Sequence, residues 1–175
     1  MRQPTRIIRL FIIIAACGIA CAAASCSART GVGSPAGIPA RTTPYDHKFE
    51  KVRKYLERVH DNTRYVPERG DQDYWQLPDE TETLGSGDCE DMAIWLYVLL
   101  KQAGFGAVRL CIGKHRPYSD QMHAWVMWFD GPRLYILDPS VTRKPLRASD
   151  ADPGSYVPRY SYDGSRRWIH LKPAS

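Results

Sequence analysis

Much that would announce a function is missing from this chain. It has no internal repeat, no phosphate-binding glycine motif and no nucleic-acid module. Acidic residues are absent from Met1 to Ser25, and only Cys89 and Cys111 remain beyond Cys26. Two cysteines allow one bridge at most, Cys89 to Cys111, and the spacing of Cys89, Cys111, His115 and His123 matches no common zinc module. The apolar run from Met92 to Leu100 is too short to span a bilayer.

The first twenty-five residues instead carry Arg2, Arg6 and Arg9, then an apolar stretch from Leu10 to Ala24. That is the pattern of a secretory signal. Ala23-Ala24-Ser25-Cys26 resembles a bacterial lipobox, in which Cys26 becomes the lipidated terminus, with Cys17 and Cys21 as the alternative sites. The expectation is an exported protein of the periplasm or cell envelope, anchored to the membrane by that lipid. Ordinary cleavage among the alanines would still export the chain. Losing the signal removes three positive charges and no negative ones, so the net charge falls from +5 to +2 and the basic balance gives no argument for nucleic acid. Residues 26–43 are rich in Gly, Ser, Ala, Thr and Pro and read as a flexible tether. Residues 44–175, about 130 in all, form one domain large enough for a proper core.

Within that domain, Phe49, Val52, Leu56 and Val59 recur at helical spacing and predict an amphipathic helix over 46–61. Tyr65 to Leu84 reads as a proline-containing connector that carries Trp75 towards the next helix. Val108 to Ile112 reads as a buried strand with Cys111 inside it. Val141 to Asp152 is loop-like, and Arg166 to Leu171 is a closing strand. His47, His60 and His170 read as structural.

The most informative stretch is Gly87-Asp88-Cys89-Glu90-Asp91. Met92 to Leu100 is apolar without interruption, Lys101 and Gln102 follow, and Gly104 suits a left-handed C-terminal cap. A helix apolar on all sides is buried. Asp88 is its natural N-cap, which places Cys89 in the first turn. The helix dipole favours a thiolate there, while Asp88, Glu90 and Asp91 oppose it by charge repulsion unless a cation or imidazolium balances them. A single cysteine in a core helix is also ordinary packing.

A second feature shifts the balance. His123 to Phe129 and Arg133 to Asp138 are aromatic and branched runs joined at Asp130-Gly131, a hairpin signal. With the turn centred on that pair, His123 falls directly opposite Asp138, near enough for the carboxylate to fix the imidazole tautomer. An odd-length loop would make the pair diagonal. Cys89, His123 and Asp138 then supply the nucleophile, base and orienting carboxylate of a thiol site. Taken singly, His123 could be a satisfied strand histidine and Asp138 a turn residue before Pro139.

Asp73-Tyr74-Trp75, Pro78-x-Glu80, Gly87-Asp88-Cys89-Glu90-Asp91, His123 and Leu137-Asp138 together resemble the bacterial transglutaminase-like cysteine peptidases of LapG type, over roughly Pro44 to Pro139. The resemblance implies an α+β, papain-like or transglutaminase-like fold, with a nucleophile-bearing central helix packed on an antiparallel sheet. It implies the Cys89, His123 and Asp138 triad acting on amide bonds of a protein or peptide substrate. It also implies Trp75 near the oxyanion, where the Cys89 amide is the better donor on geometric grounds and Trp75 could equally be a core aromatic. Finally it implies calcium on Asp88 and Glu90, with Asp91 a further ligand; the chemistry itself requires no cofactor. The polar segment between Cys111 and His123 and the lipobox depart from the family pattern, so the substrate does not transfer. Two other readings stand beside this one: a protein acyltransferase, should an amine resolve the thioester, and a non-catalytic lipoprotein that binds a partner or calcium.

Overall fold

The structure, a computed structural model, describes residues 44–68, 74–116 and 121–171. The expected leader (1–25), the tether (26–43), Cys26 and Asp73 lie outside the described residues.

Helix α1 (Pro44–Asn62) forms where helical spacing predicts it. Its Val52, Leu56 and Val59 are fully buried, each contributing roughly 1.5–3 kcal/mol by burial. Strand β1 (Arg64–Tyr65) follows, then α2 (Pro78–Leu84), β2 (Ser86–Gly87) and α3 (Cys89–Gln102). The stretch read as a connector thus holds a helix. Pro78 begins it, Glu80 accepts a hydrogen bond from the Leu77 amide at 2.7 Å, and Gly85 closes it at φ +56°, a start-and-stop pattern that sequence displays.

Helix α3 is the centre of the molecule. Met92, Ala93, Ile94, Trp95, Leu96, Tyr97 and Leu100 are at most 2% exposed, because α1 and α2 cover its outer side and the sheet covers the inner one. The sheet has six antiparallel strands, β3 (Val108–His115), β4 (His123–Asp130), β5 (Arg133–Leu137), β6 (Leu146–Arg147), β7 (Tyr156–Asp163) and β8 (Arg166–Ile169), in the order β6-β5-β4-β3-β7-β8. Together these make an α+β architecture with its central helix on an antiparallel sheet, as the resemblance implies.

Alternation along the strands separates two cores. Leu110 and Val126 pack with the helices, whereas Cys111, Trp125, Met127 and Ile136 form a second cluster on the other face, beneath Leu146, Ala148 and Ala151. Cys111 therefore points away from α3. Both thiols are free, which corrects the possible Cys89–Cys111 bridge and removes Cys111 from the possible zinc set.

The hairpin register also differs from expectation. Asp130 pairs with Arg133, leaving Gly131-Pro132 as the loop. Gly131 supplies φ +58°, as the first position of a type II′ turn requires. Pro132 takes the second, where no amide is needed, and Arg133 closes the turn. Relative to the expected centre this shifts the pairing by two residues, so Asp138 is diagonal to His123 instead of opposite. An even shift preserves the face, and the two side chains still meet.

Candidate active site

Each residue of the Gly-Asp-Cys-Glu-Asp stretch has a local task. Asp88 Oδ1 accepts from the Glu90 and Asp91 amides at 3.1 and 3.3 Å, and Asp91 Oδ2 accepts from the Asp88 amide at 3.1 Å, a reciprocal capping box. A Cβ on Gly87 would come within 2.8 Å of Asp91, so this approach to the helix needs glycine. Asp91, buried, also takes the Gln76 amide at 2.8 Å. That bond ties the Trp75 segment to the first turn of α3, and Trp75 packs against the helical core.

His123, the expected base, lies at the start of β4. His123 Nε2 is 2.6 Å from Asp138 Oδ2. Asp138 is fully buried, and it also accepts from Tyr156 Oη at 3.0 Å and from the Ser140 amide and hydroxyl at 3.1 and 2.7 Å. Burial alone would raise its pKa, but the hydrogen bond and charge of His123, with Ser140 and Tyr156, hold it below the ordinary carboxylate value. The ionised carboxylate therefore keeps the proton on Nε2 and leaves Nδ1 as the basic nitrogen. His115 stacks on His123 at 5.0 Å and on Tyr156 at 4.5 Å, and Trp125 stacks on His123 from within the sheet at 6.1 Å. From α1, His60 Nδ1 donates to the Pro139 carbonyl at 2.8 Å, which anchors the turn after Asp138.

The thiol meets this end of the sheet at Ala124. The Ala124 amide, next in chain to His123, donates to Cys89 Sγ. The thiol itself donates to Glu90 Oε2 at 2.8 Å. Burial, then the charge and hydrogen bond of Glu90, push the Cys89 pKa well up, against the Ala124 amide. Burial thus adds to the carboxylate repulsion expected at this position. The same crowding acts on the acids: burial and the Glu90 charge raise Asp88 to about 7, and burial followed by the Asp88 charge raises Asp91 to about 6, each against hydrogen bonds from backbone amides.

Ligand atoms of Asp88, Cys89 and Glu90 lie within 4.8 Å of one another, and two of the three offer hard oxygens that suit calcium. Asp91 is not brought into that group, since backbone amides occupy both its oxygens. His115, His123 and Asp138 form a separate group of the same kind. Sequence reasoning missed Tyr156, Ser140 and the stacking of His115, which are joined to the site by strand pairing and the Asp138 turn. It also missed Tyr65, whose phenol is raised to about 12 by burial and by the charges of Cys89, Asp88, Glu90 and Asp138.

A family model described as the transglutaminase-like superfamily matches residues 36–139. Among solved structures, Legionella pneumophila LapG is 29% identical, with a TM-score of 0.56, over 67% of this chain and 68% of that one. Its EGTA-treated form gives 27% identity and a TM-score of 0.60 over 75% and 70% of the two chains. The calcium-bound form gives 27% and 0.54 over 71% and 75%. No curated protein matches the chain.

Proposed function

The chain belongs to the transglutaminase-like superfamily, and from that premise we propose that it is an exported, lipid-anchored thiol peptidase that cleaves amide bonds of a protein substrate in the cell envelope. The observation that carries the reading is the assembly around His123: a fully buried Asp138 holds Nε2, while the adjacent Ala124 amide holds Cys89 Sγ. The leader, with its lipobox at Cys26, supports export and anchoring.

In this reading His123 Nδ1 takes the Cys89 proton, and the thiolate adds to the amide carbon. The Cys89 amide, in the first turn of α3, stabilises the oxyanion. Collapse breaks the C–N bond as His123 returns the proton to the leaving amine. Water, deprotonated by His123, then cleaves the thioester to release the acid and restore the thiol. Asp138 orients the ring and stabilises the imidazolium throughout. Asp88 and Glu90 would hold calcium, in keeping with the calcium-bound LapG structure. Bound there, it would supply the positive charge that these crowded carboxylates lack and offset the repulsion that keeps Cys89 protonated.

The test is terminal proteomics of an envelope-protein extract treated with the protein in calcium, with Cys89→Ala as control and dansylcadaverine as amine acceptor. New amino termini that depend on Cys89 are expected. Cys89-dependent amine incorporation without new termini would make the enzyme an acyltransferase. Identical termini and no incorporation in both samples would favour the non-catalytic binding role.

A further inference from the structure

We propose that the outer edge of β1, at Tyr65, receives the main chain of the protein substrate as an added strand beside Cys89. The inference rests on the peptidase reading above and concerns how that site takes its substrate.

Strand β1 pairs in parallel with β2, Arg64 against Ser86 and Tyr65 against Gly87. The Arg64 amide donates to the Gly85 carbonyl and the Val66 amide to the Gly87 carbonyl, both at 2.9 Å. Backbone groups of successive strand residues face opposite edges. The N–H and C=O of Tyr65 therefore point away from β2, and neither has a partner among the described residues. Tyr65 is 49% exposed and Val66 42%. An exposed edge of this kind is a template for another strand, and β-augmentation is a standard way to bind an extended peptide.

Its position says which peptide. Gly87, the partner of Tyr65, lies two residues before Cys89, and the Tyr65 phenol shares its surroundings with Cys89, Glu90 and Asp138. A chain laid along β1 would sit about 4.8 Å beyond it, and each further residue would carry it about 3.3 Å along the edge. Met122, 42% exposed and next to His123, offers an apolar surface on the sheet side. A second copy of the chain is a poor occupant, because a two-residue edge falls far short of the roughly 1,000 Å² that stable association needs. A substrate needs the edge only during turnover.

The experiment compares two alkylating reagents on the Cys111→Ser protein in calcium: iodoacetamide, which reads the thiol alone, and acetyl-dialanyl chloromethyl ketone, which presents a peptide backbone. In the second, the thiolate displaces chloride and a C–S bond replaces C–Cl. Tyr65→Pro removes the outward N–H together with the phenol and leaves the ladder bonds, which come from Arg64 and Val66, and proline is tolerated on such an edge. The expected result is an about tenfold smaller ratio of peptide to iodoacetamide rate in Tyr65→Pro, as for loss of one hydrogen bond. Methylating the reagent's inner amide should act in the same direction, while Tyr65→Ala, which keeps both backbone groups, retains most of the ratio. An unchanged ratio in Tyr65→Pro and with the methylated reagent would overturn edge docking, as would a native dimer that Tyr65→Pro dissociates. Slow iodoacetamide labelling that ignores His123→Ala would instead remove the peptidase reading, and edge docking with it.

Discussion

At Cys89 burial and one neighbour, Glu90, hold the thiol protonated. The Ala124 amide favours the thiolate, but Glu90 both accepts the S–H bond and adds a negative charge at close range in a buried site. Glu90→Gln keeps the size and an acceptor while deleting the charge. In EGTA, with Cys111→Ser as background, that substitution is expected to raise the iodoacetamide rate of Cys89 at pH 8 about tenfold, the effect of one unit in thiol pKa. Equal rates would mean that burial alone sets the titration of Cys89. Residue types and the short motif made Cys89, His123 and Asp138 legible in the sequence. The bond from Cys89 to Glu90 was not, because a rotamer choice within a motif leaves no trace in its spacing.

At the scale of elements, the site depends on β7 lying beside β3, which sets Tyr156 and His115 against the His123–Asp138 pair. Gly113 makes that pairing possible at the irregularity between Ile112 and Gly113. A Cβ there would stand 2.2 Å from the Val157 carbonyl oxygen and 2.8 Å from both Pro158 Cα and the Trp125 ring. Two of these are backbone atoms that cannot rotate away. Gly113→Ala should cost about 2–3 kcal/mol in urea unfolding, at the upper end for overpacking, whereas Gly106→Ala, with nothing within 4 Å of its Cβ, should stay within about 0.5 kcal/mol. Equal stabilities would show that β7 yields without loss. Helices α1 and α3 could be read from periodicity and caps, which are local. The insertion of β7 next to β3 is a pairing over dozens of residues that alternating tyrosines do not encode. The hairpin turn was misplaced by one residue because Asp-Gly and Gly-Pro compete as turn signals and only the full ladder decides between them.

Over the whole molecule, the thiol end of a helix meets the imidazole end of a sheet at Ala124, and three acids crowd the start of that helix. That crowding couples stability to pH and to calcium. In the folded state Asp88 is raised to about 7 from its ordinary 3.8, so its protonation favours the fold. The contribution is complete below the unfolded value and is lost as pH rises through about 7. Asp88→Asn retains a good N-cap but not the charge. Melting temperature measured from pH 5 to pH 8 in EGTA should fall in the native protein relative to Asp88→Asn, by several degrees, and calcium should restore the native protein alone at pH 8. Parallel curves would contradict the linkage.

The claim on which the rest depends is that His123 activates Cys89. The most direct measurement is the pH dependence of Cys89 alkylation by iodoacetamide in the Cys111→Ser protein with calcium, compared with the same protein carrying His123→Ala. Rapid labelling near neutral pH that falls at least about tenfold without the imidazole, as loss of a general base predicts, is the result expected of a thiol–imidazole pair. Profiles that superimpose would make Cys89 a packing residue of the core and leave the fold to a binding role.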